Sequence, residues 1–202
     1  MFYIIPIVSS YLLGSLIFSL IVGKLLKGVD VRSHGSGNAG ATNTLRVLGI
    51  GPAILVLALD IGKGVLAVWL GKWFAPDLLW VHVVCGISVI IGHNWPVFFR
   101  FRGGKGIATT IGMVATLSFL PGLMAGIIAI LSIIITRYVS LGSLLFTGLL
   151  PIFLVIMHYP VELIFASILL FIFAVWRHRK NIEKLLHGQE NRLGAKKREE
   201  TQ

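Results

Sequence analysis

Three short polar segments interrupt an otherwise apolar chain, and the residue types they collect suit one task, holding an anion. The first reads Arg32-Ser-His-Gly-Ser-Gly-Asn-Ala-Gly-Ala-Thr-Asn-Thr-Leu-Arg46. Its glycines permit the positive φ angles that turn successive backbone N–H groups into one concavity, a nest for phosphate or carboxylate. The second, His93-Asn-Trp-Pro-Val-Phe-Phe-Arg-Phe-Arg-Gly-Gly-Lys-Gly106, repeats that chemistry with more charge. Gly103, Gly104, Lys105 and Gly106 directly precede an apolar run that reads as a helix, so backbone donors and one ammonium converge where a helix N-terminus already favours an anion. The third, Trp176-Arg-His-Arg-Lys-Asn-Ile-Glu-Lys-Leu-Leu-His-Gly-Gln-Glu-Asn-Arg192, is an amphipathic basic stretch with Ile182, Leu185 and Leu186 at helical spacing. His178 and Asn181 stand three apart in it, on one helix face near the membrane surface.

Each segment also has a plainer reading. Loops are rich in small polar residues in any case, and Arg100 and Arg102 suit contact with lipid headgroups. Anchoring does not, however, call for three glycines around one lysine. Two motif matches fail on context. Gly35-Ser-Gly-Asn-Ala-Gly40 fits G-x-G-x-x-G with Asp60 about 20 residues on, but its flanks are apolar spans and not a βαβ unit. The near-match to a P-loop ending at Thr42 has Ala41 where the phosphate-binding lysine must stand.

The elements that must position these segments follow from composition. Of 202 residues, 56% are hydrophobic and 13% charged, about half the ~25% charged content of a soluble domain. Long uncharged runs such as residues 1–23, 107–136 and 139–157 are candidate bilayer crossings. The expected fold is therefore all-α, a polytopic integral membrane protein forming one domain over residues 1–202, with cytoplasmic segments 24–48, 93–106 and 177–192. A soluble globule is excluded. The single cysteine, Cys85, excludes a disulfide framework or a Cys-based metal site within one chain. The first run has no basic n-region and no cleavage site, so it reads as a retained span.

The expected spans are 3–22, 52–70, 80–92, two from 107–136, 138–157 and 161–176. Breaking the 30-residue stretch 107–136 at Pro121-Gly122 into two short helices puts 16 of the 18 Lys and Arg residues on one face, with Lys72 alone opposite and Lys63 inside the membrane. The positive-inside rule then favours seven spans, N-terminus outside and C-terminus cytoplasmic, over six with one tilted helix. The net charge of +10 is thus a topology signal, and no nucleic-acid partner is read from it. Asp60 and Lys63 lie i, i+3 within the second span, and intramembrane ionisable residues are functional suspects by default. The alternative is a structural pair. His82 and His158 read as interfacial, Gly122 and Gly126 as a helix-packing GxxxG pattern, and the charged tail 196–200 as solvated.

Three strings then carry a resemblance: Ser36-Gly-Asn-Ala-Gly-Ala-Thr-Asn-Thr-Leu-Arg46, Phe101-Arg-Gly-Gly-Lys-Gly-Ile-Ala-Thr109, and Arg177-His-Arg-Lys-Asn-Ile-Glu-Lys-Leu185 with Gly188-Gln-Glu190. In order and spacing they resemble the three motifs of the bacterial acyl-phosphate:glycerol-3-phosphate acyltransferase family, over nearly the whole chain. The resemblance implies transfer of a fatty acyl group from acyl phosphate to the 1-hydroxyl of glycerol 3-phosphate. Lysophosphatidate and phosphate would be the products, in the first step of phospholipid synthesis, at the cytoplasmic side of the bacterial inner membrane. Membrane lipid is then the further partner, and no cofactor or metal is called for.

Carried over motif by motif, the resemblance implies catalytic roles for Ser36, His178 and Asn181 and a substrate phosphate-binding set of Gly37, Asn38, Thr42, Asn43, Arg46, Lys63, Gly103, Gly104, Lys105 and Gly106. Asp60, His93 and Glu190 are implied as supporting residues. The third motif departs in carrying Arg179-Lys180 between its His and Asn. Acyl phosphate is already an activated mixed anhydride, so positioning and charge stabilisation suffice without a covalent nucleophile. An anion or phosphorylated-metabolite transporter is the alternative from another class; against it stand the absence of an inverted repeat and the gathering of polar segments on one face. A lipid-binding scaffold would explain the basic face but not the glycine nests.

Overall fold

A computed structural model describes residues 2–194, so the tail 196–200 lies outside the described residues. Among the described residues all regular structure is helical: α1 (Ile4–Gly14), α2 (Phe18–Lys27), α3 (Ala41–Leu48), α4 (Ile50–Phe74), α5 (Leu79–Asn94), α6 (Ile107–Leu117), α7 (Phe119–Thr136), α8 (Val139–Ile156) and α9 (Val161–Leu186), with 3-10 turns at Val31–Ser33 and Val97–Phe99. Six stretches are long and apolar enough to cross a bilayer, α1 and α2 counting together as Ile4–Lys27; α6 is a shorter apolar helix of 11 residues. Large apolar side chains such as Ile130, Ile134, Ile135 and Phe165 stay exposed, as a lipid-facing surface requires.

Three elements differ from the sequence expectation. The first span is interrupted, with Ile17 extended between α1 and α2. The stretch 107–136 breaks at Ser118, before the expected Pro121-Gly122, and α7 is 18 residues long rather than short. The proline is still the cause. A proline ring clashes with the carbonyl four residues earlier, and Leu117 is where α6 stops, while Pro121 itself sits in the first turn of α7, where a missing N–H costs nothing. The third polar segment is not a separate interfacial helix over its first half, because α9 runs unbroken from the last span to Leu186.

Helix α4 is the hub, packed against α1, α3, α5 and α6. Its approach to α6 is reciprocal: a Cβ on Gly64 would strike the Thr109 carbonyl oxygen, and one on Gly112 would strike that of Ile61. Small residues let membrane helices close on one another in this way. The expected packing role is met at Gly122, where a Cβ would strike the Val114 side chain of α6, but not at Gly126, where it would meet open space; both glycines also line a cavity. His82 is buried rather than interfacial, its Nε2 2.8 Å from the Ala75 carbonyl. The main buried cluster joins α5, α6, α8 and α9 through Val89, Ile90, Met113, Phe146, Leu150 and Leu170. A second, around Ile17, Val31, Leu48 and Val56, seats the first polar segment against α2 and α4.

Candidate active site

The first polar segment is folded by one side chain. Asn43, at the start of α3, is buried; its Oδ1 accepts from the Ser36 N–H at 2.7 Å and the Ser36 hydroxyl at 3.1 Å. Its Nδ2 donates to the carbonyls of Val31 and His34 at 2.7 and 3.1 Å. All four of its hydrogen-bonding positions are thereby filled. Asn43 therefore shapes the loop, its side-chain amide engaged within it. Gly37 adopts φ +72° at the loop's bend, a conformation that glycine accepts without strain. One helical turn after Asn43, the Arg46 side chain is exposed along part of its length.

The second segment is wedged between α5 and α9. A Cβ on Gly103 or Gly104 would strike the His93 carbonyl oxygen or the His93 ring respectively. Their carbonyls face the Arg177 guanidinium, at 3.0 Å for Gly103 and at 2.6 and 3.0 Å for Gly104. Gly106, at φ +78°, caps α6. Between them Lys105 donates to Asn181 Oδ1 at 2.5 Å. The Asn181 Nδ2 donates to Glu190 Oε1 at 2.8 Å, which also accepts from the Ser140 hydroxyl at 3.1 Å. Burial, reinforced by Arg177, Arg46 and Lys184 and opposed by Glu190, lowers Lys105 to about 8. Burial likewise draws Arg46 down. These are two cations stripped of part of their water, and an anion between them would restore what they have lost.

His178 stands one turn before Asn181 on α9, buried, with Nδ1 2.8 Å from the Ala174 carbonyl. A carbonyl only accepts, so Nδ1 carries the proton and neutral His178 presents the lone pair of Nε2.

Lys63 is placed differently from expectation. Its ammonium lies 2.9 Å from Asp60 and 2.9 Å from His93 Nδ1, and donates to the carbonyls of Gly14 and Leu16 at 3.1 and 2.8 Å. Those carbonyls flank the interruption between α1 and α2, where the helix no longer satisfies them. Lys63 therefore plugs a backbone break, its ammonium engaged by these four neighbours.

A cavity of about 770 Å³ brings the remaining residues together. Ser36, Asn38, Thr42, Asn43, Arg46, Asp60, His93, Lys105, Gly106, His178, Asn181 and Glu190 all line it; Gly37, Lys63, Gly103 and Gly104 do not. From this polar end it continues as an apolar groove between Ile50, Ile54 and Leu57 of α4 and Ile111, Ile127 and Ile130 of α6 and α7. Ser140 and Ser143 of α8 also line it and were missed, since a serine in an apolar helix ordinarily bonds its own backbone and gives no signal in the sequence. Arg177 opens the third motif string, but the sequence assigns it no role in the site.

Residues 4–188 match the family described as glycerol-3-phosphate acyltransferase. A curated glycerol-3-phosphate acyltransferase of Shouchella clausii is 57% identical over 96% of this chain and 97% of its own. Two crystal structures of PlsY, an integral membrane glycerol 3-phosphate acyltransferase, superpose with TM-scores of 0.90 and 0.88 at 39% and 38% identity, over 95% of this chain in each case and 96% and 95% of theirs. The first is a glycerol 3-phosphate form and the second a lysophosphatidic acid form.

Proposed function

Since the chain belongs to the glycerol-3-phosphate acyltransferase family, we propose that its acyl donor is acyl phosphate and that the reaction takes place at the cytoplasmic face of a bacterial inner membrane. One observation carries this reading: the cationic, hydrogen-bonding end of the cavity runs without interruption into an apolar groove. That shape suits a molecule with phosphate at one end and a fatty chain at the other. The 1-hydroxyl oxygen of glycerol 3-phosphate attacks the acyl carbon, the bond from that carbon to the phosphate oxygen breaks, and the products are lysophosphatidate and phosphate.

Arg46 and Lys105 neutralise the two substrate phosphates, one each, and Ser36, Asn38 and Thr42 supply neutral contacts beside them. The lone pair on His178 Nε2 accepts a hydrogen bond from the attacking hydroxyl and orients it. The proton passes to the departing phosphate, whose second pKa near 6 suits it to take one at neutral pH. No acyl-enzyme forms. Asn181 holds the Lys105 ammonium in place, and Glu190 and Ser140 hold Asn181. Asp60 and His93 form the wall behind, fixed by Lys63.

The test is direct. Purified protein incubated with glycerol 3-phosphate and either palmitoyl phosphate or palmitoyl-CoA should yield lysophosphatidate from the first alone. Turnover with the thioester at a comparable rate would overturn the donor assignment.

A further inference from the structure

Arg177 does not line the cavity, yet it makes more directed contacts with the second polar segment than any other side chain in the site. Its Nε and Nη2 donate to the Gly104 carbonyl and its Nη2 to that of Gly103. The guanidinium lies over the Trp95 ring, 5.6 Å from its centroid, and Trp95 is itself packed edge-on against Phe173 and tilted against Trp176 of α9. The fork is therefore held on both sides, by hydrogen bonds in its plane and by an aromatic face beneath it.

These contacts decide which way two peptide groups face. The peptide bonds here are trans, and in a trans peptide the C=O and the following N–H point in opposite directions. The Gly103 carbonyl turned to Arg177 sends the Gly104 N–H to the His93 carbonyl, where it bonds at 3.0 Å. The Gly104 carbonyl turned to Arg177 sends the Lys105 N–H away from the guanidinium, and Lys105 and Gly106 line the cavity. Glycine tolerates either orientation of its flanking peptides, so nothing in the glycines themselves selects this one. We infer that Arg177 is a positioning residue, which sets the Gly104–Lys105 peptide so that the Lys105 N–H and ammonium face one phosphate together. The inference rests on the phosphate-binding role given above to Lys105.

The test begins with the native protein, assayed with palmitoyl phosphate and palmitoyl-CoA; whichever donor supports turnover is used thereafter, so that a wrong donor assignment shows itself before any variant is made. Arg177→Ala should raise KM for one phosphorylated substrate by about tenfold or more, the same substrate whose KM rises in Lys105→Ala. In the Arg177→Ala, Lys105→Ala double variant the loss should be no more than about threefold beyond Lys105→Ala alone, as for residues acting through one another. Arg177→Lys keeps the charge and the stem but cannot span two carbonyls, so it should behave like Arg177→Ala, with a thermal midpoint near the native one. Full multiplication of the two single effects, or a fall in kcat and midpoint with both KM values unchanged, would reduce Arg177 to a structural prop and overturn the inference.

Discussion

The ammonium of Lys105 meets the side-chain oxygen of Asn181 at 2.5 Å, although 76 positions separate the two in sequence. This bond ties the glycine-rich loop to the last helix, and through Glu190 and Ser140 it reaches α8. Three elements remote in the chain thus place one cation at the polar end of the cavity.

The same burial sets a pH dependence. Lys105 titrates at about 8 instead of its ordinary 10.5. A lysine lowered in the folded chain opposes folding while it is charged there; the opposition is full below about pH 8 and fades as pH rises through 8 towards 10.5, where the unfolded chain also loses the proton. Lys105→Met should accordingly raise the thermal midpoint of ligand-free protein near neutral pH, and the gain should vanish at high pH. In the native enzyme kcat/KM should fall on the alkaline side with a midpoint near 8, and Lys105→Arg should shift that limb upward. A limb that stays put in Lys105→Arg assigns it to another group.

Asp60 and Lys63 form a buried pair whose members depend on each other. Loss of one partner leaves an uncompensated charge and should cost about 3–5 kcal/mol. Lys63→Met should be the more severe, because the Gly14 and Leu16 carbonyls lose their donor as well. The double variant Asp60→Ala, Lys63→Met should lose less than the sum of the singles by about 1 kcal/mol or more in denaturant unfolding. Strict additivity would mean the two do not act as a pair.

If His178 orients the hydroxyl without titrating, His178→Gln should keep more activity than His178→Ala, since the amide oxygen can still accept the hydrogen bond. The acidic limb of the pH–rate profile should survive in the Gln variant. Equal inactivity of both, with the limb abolished and substrate binding intact, would make His178 the general base.

Orientation can be read by thiol labelling after Cys85 is replaced. Single cysteines at Ser33 and Gln189, both exposed, should react with an impermeant reagent only from the cytoplasmic side, and those at Asp77, Leu120 and His158 only from the other. Cytoplasmic labelling at position 120 would contradict the seven-span arrangement.

Much of this site was legible before any coordinates. Glycine, amide and fixed charge in the same short segments announce an anion site because few other tasks need that mixture, and twelve of the expected residues do line the cavity. What stayed hidden was direction. Asn43 and Thr42 look alike as candidates, but Asn43 turns inward to bond Ser36, Val31 and His34, and no local pattern distinguishes them. The interruption after α1 was invisible for a related reason. Apolar runs report which residues avoid water, but the donor that makes a broken helix tolerable stands 47 and 49 positions away.

That distance bears on how the protein is made. The segment Ile4–Lys27 leaves the ribosome well before Lys63 does, and carbonyls exposed at its break are costly in hydrocarbon. Its final shape must wait for α4. The first membrane segment is thus completed in retrospect, by a residue translated later, and a truncated chain ending before Lys63 would hold α1 and α2 in some other form, either a continuous helix or a segment drawn up to the interface. The N-terminal span therefore reaches its final shape only once the Lys63 ammonium has arrived, before the cavity residues Lys105, His178 and Asn181 have been translated.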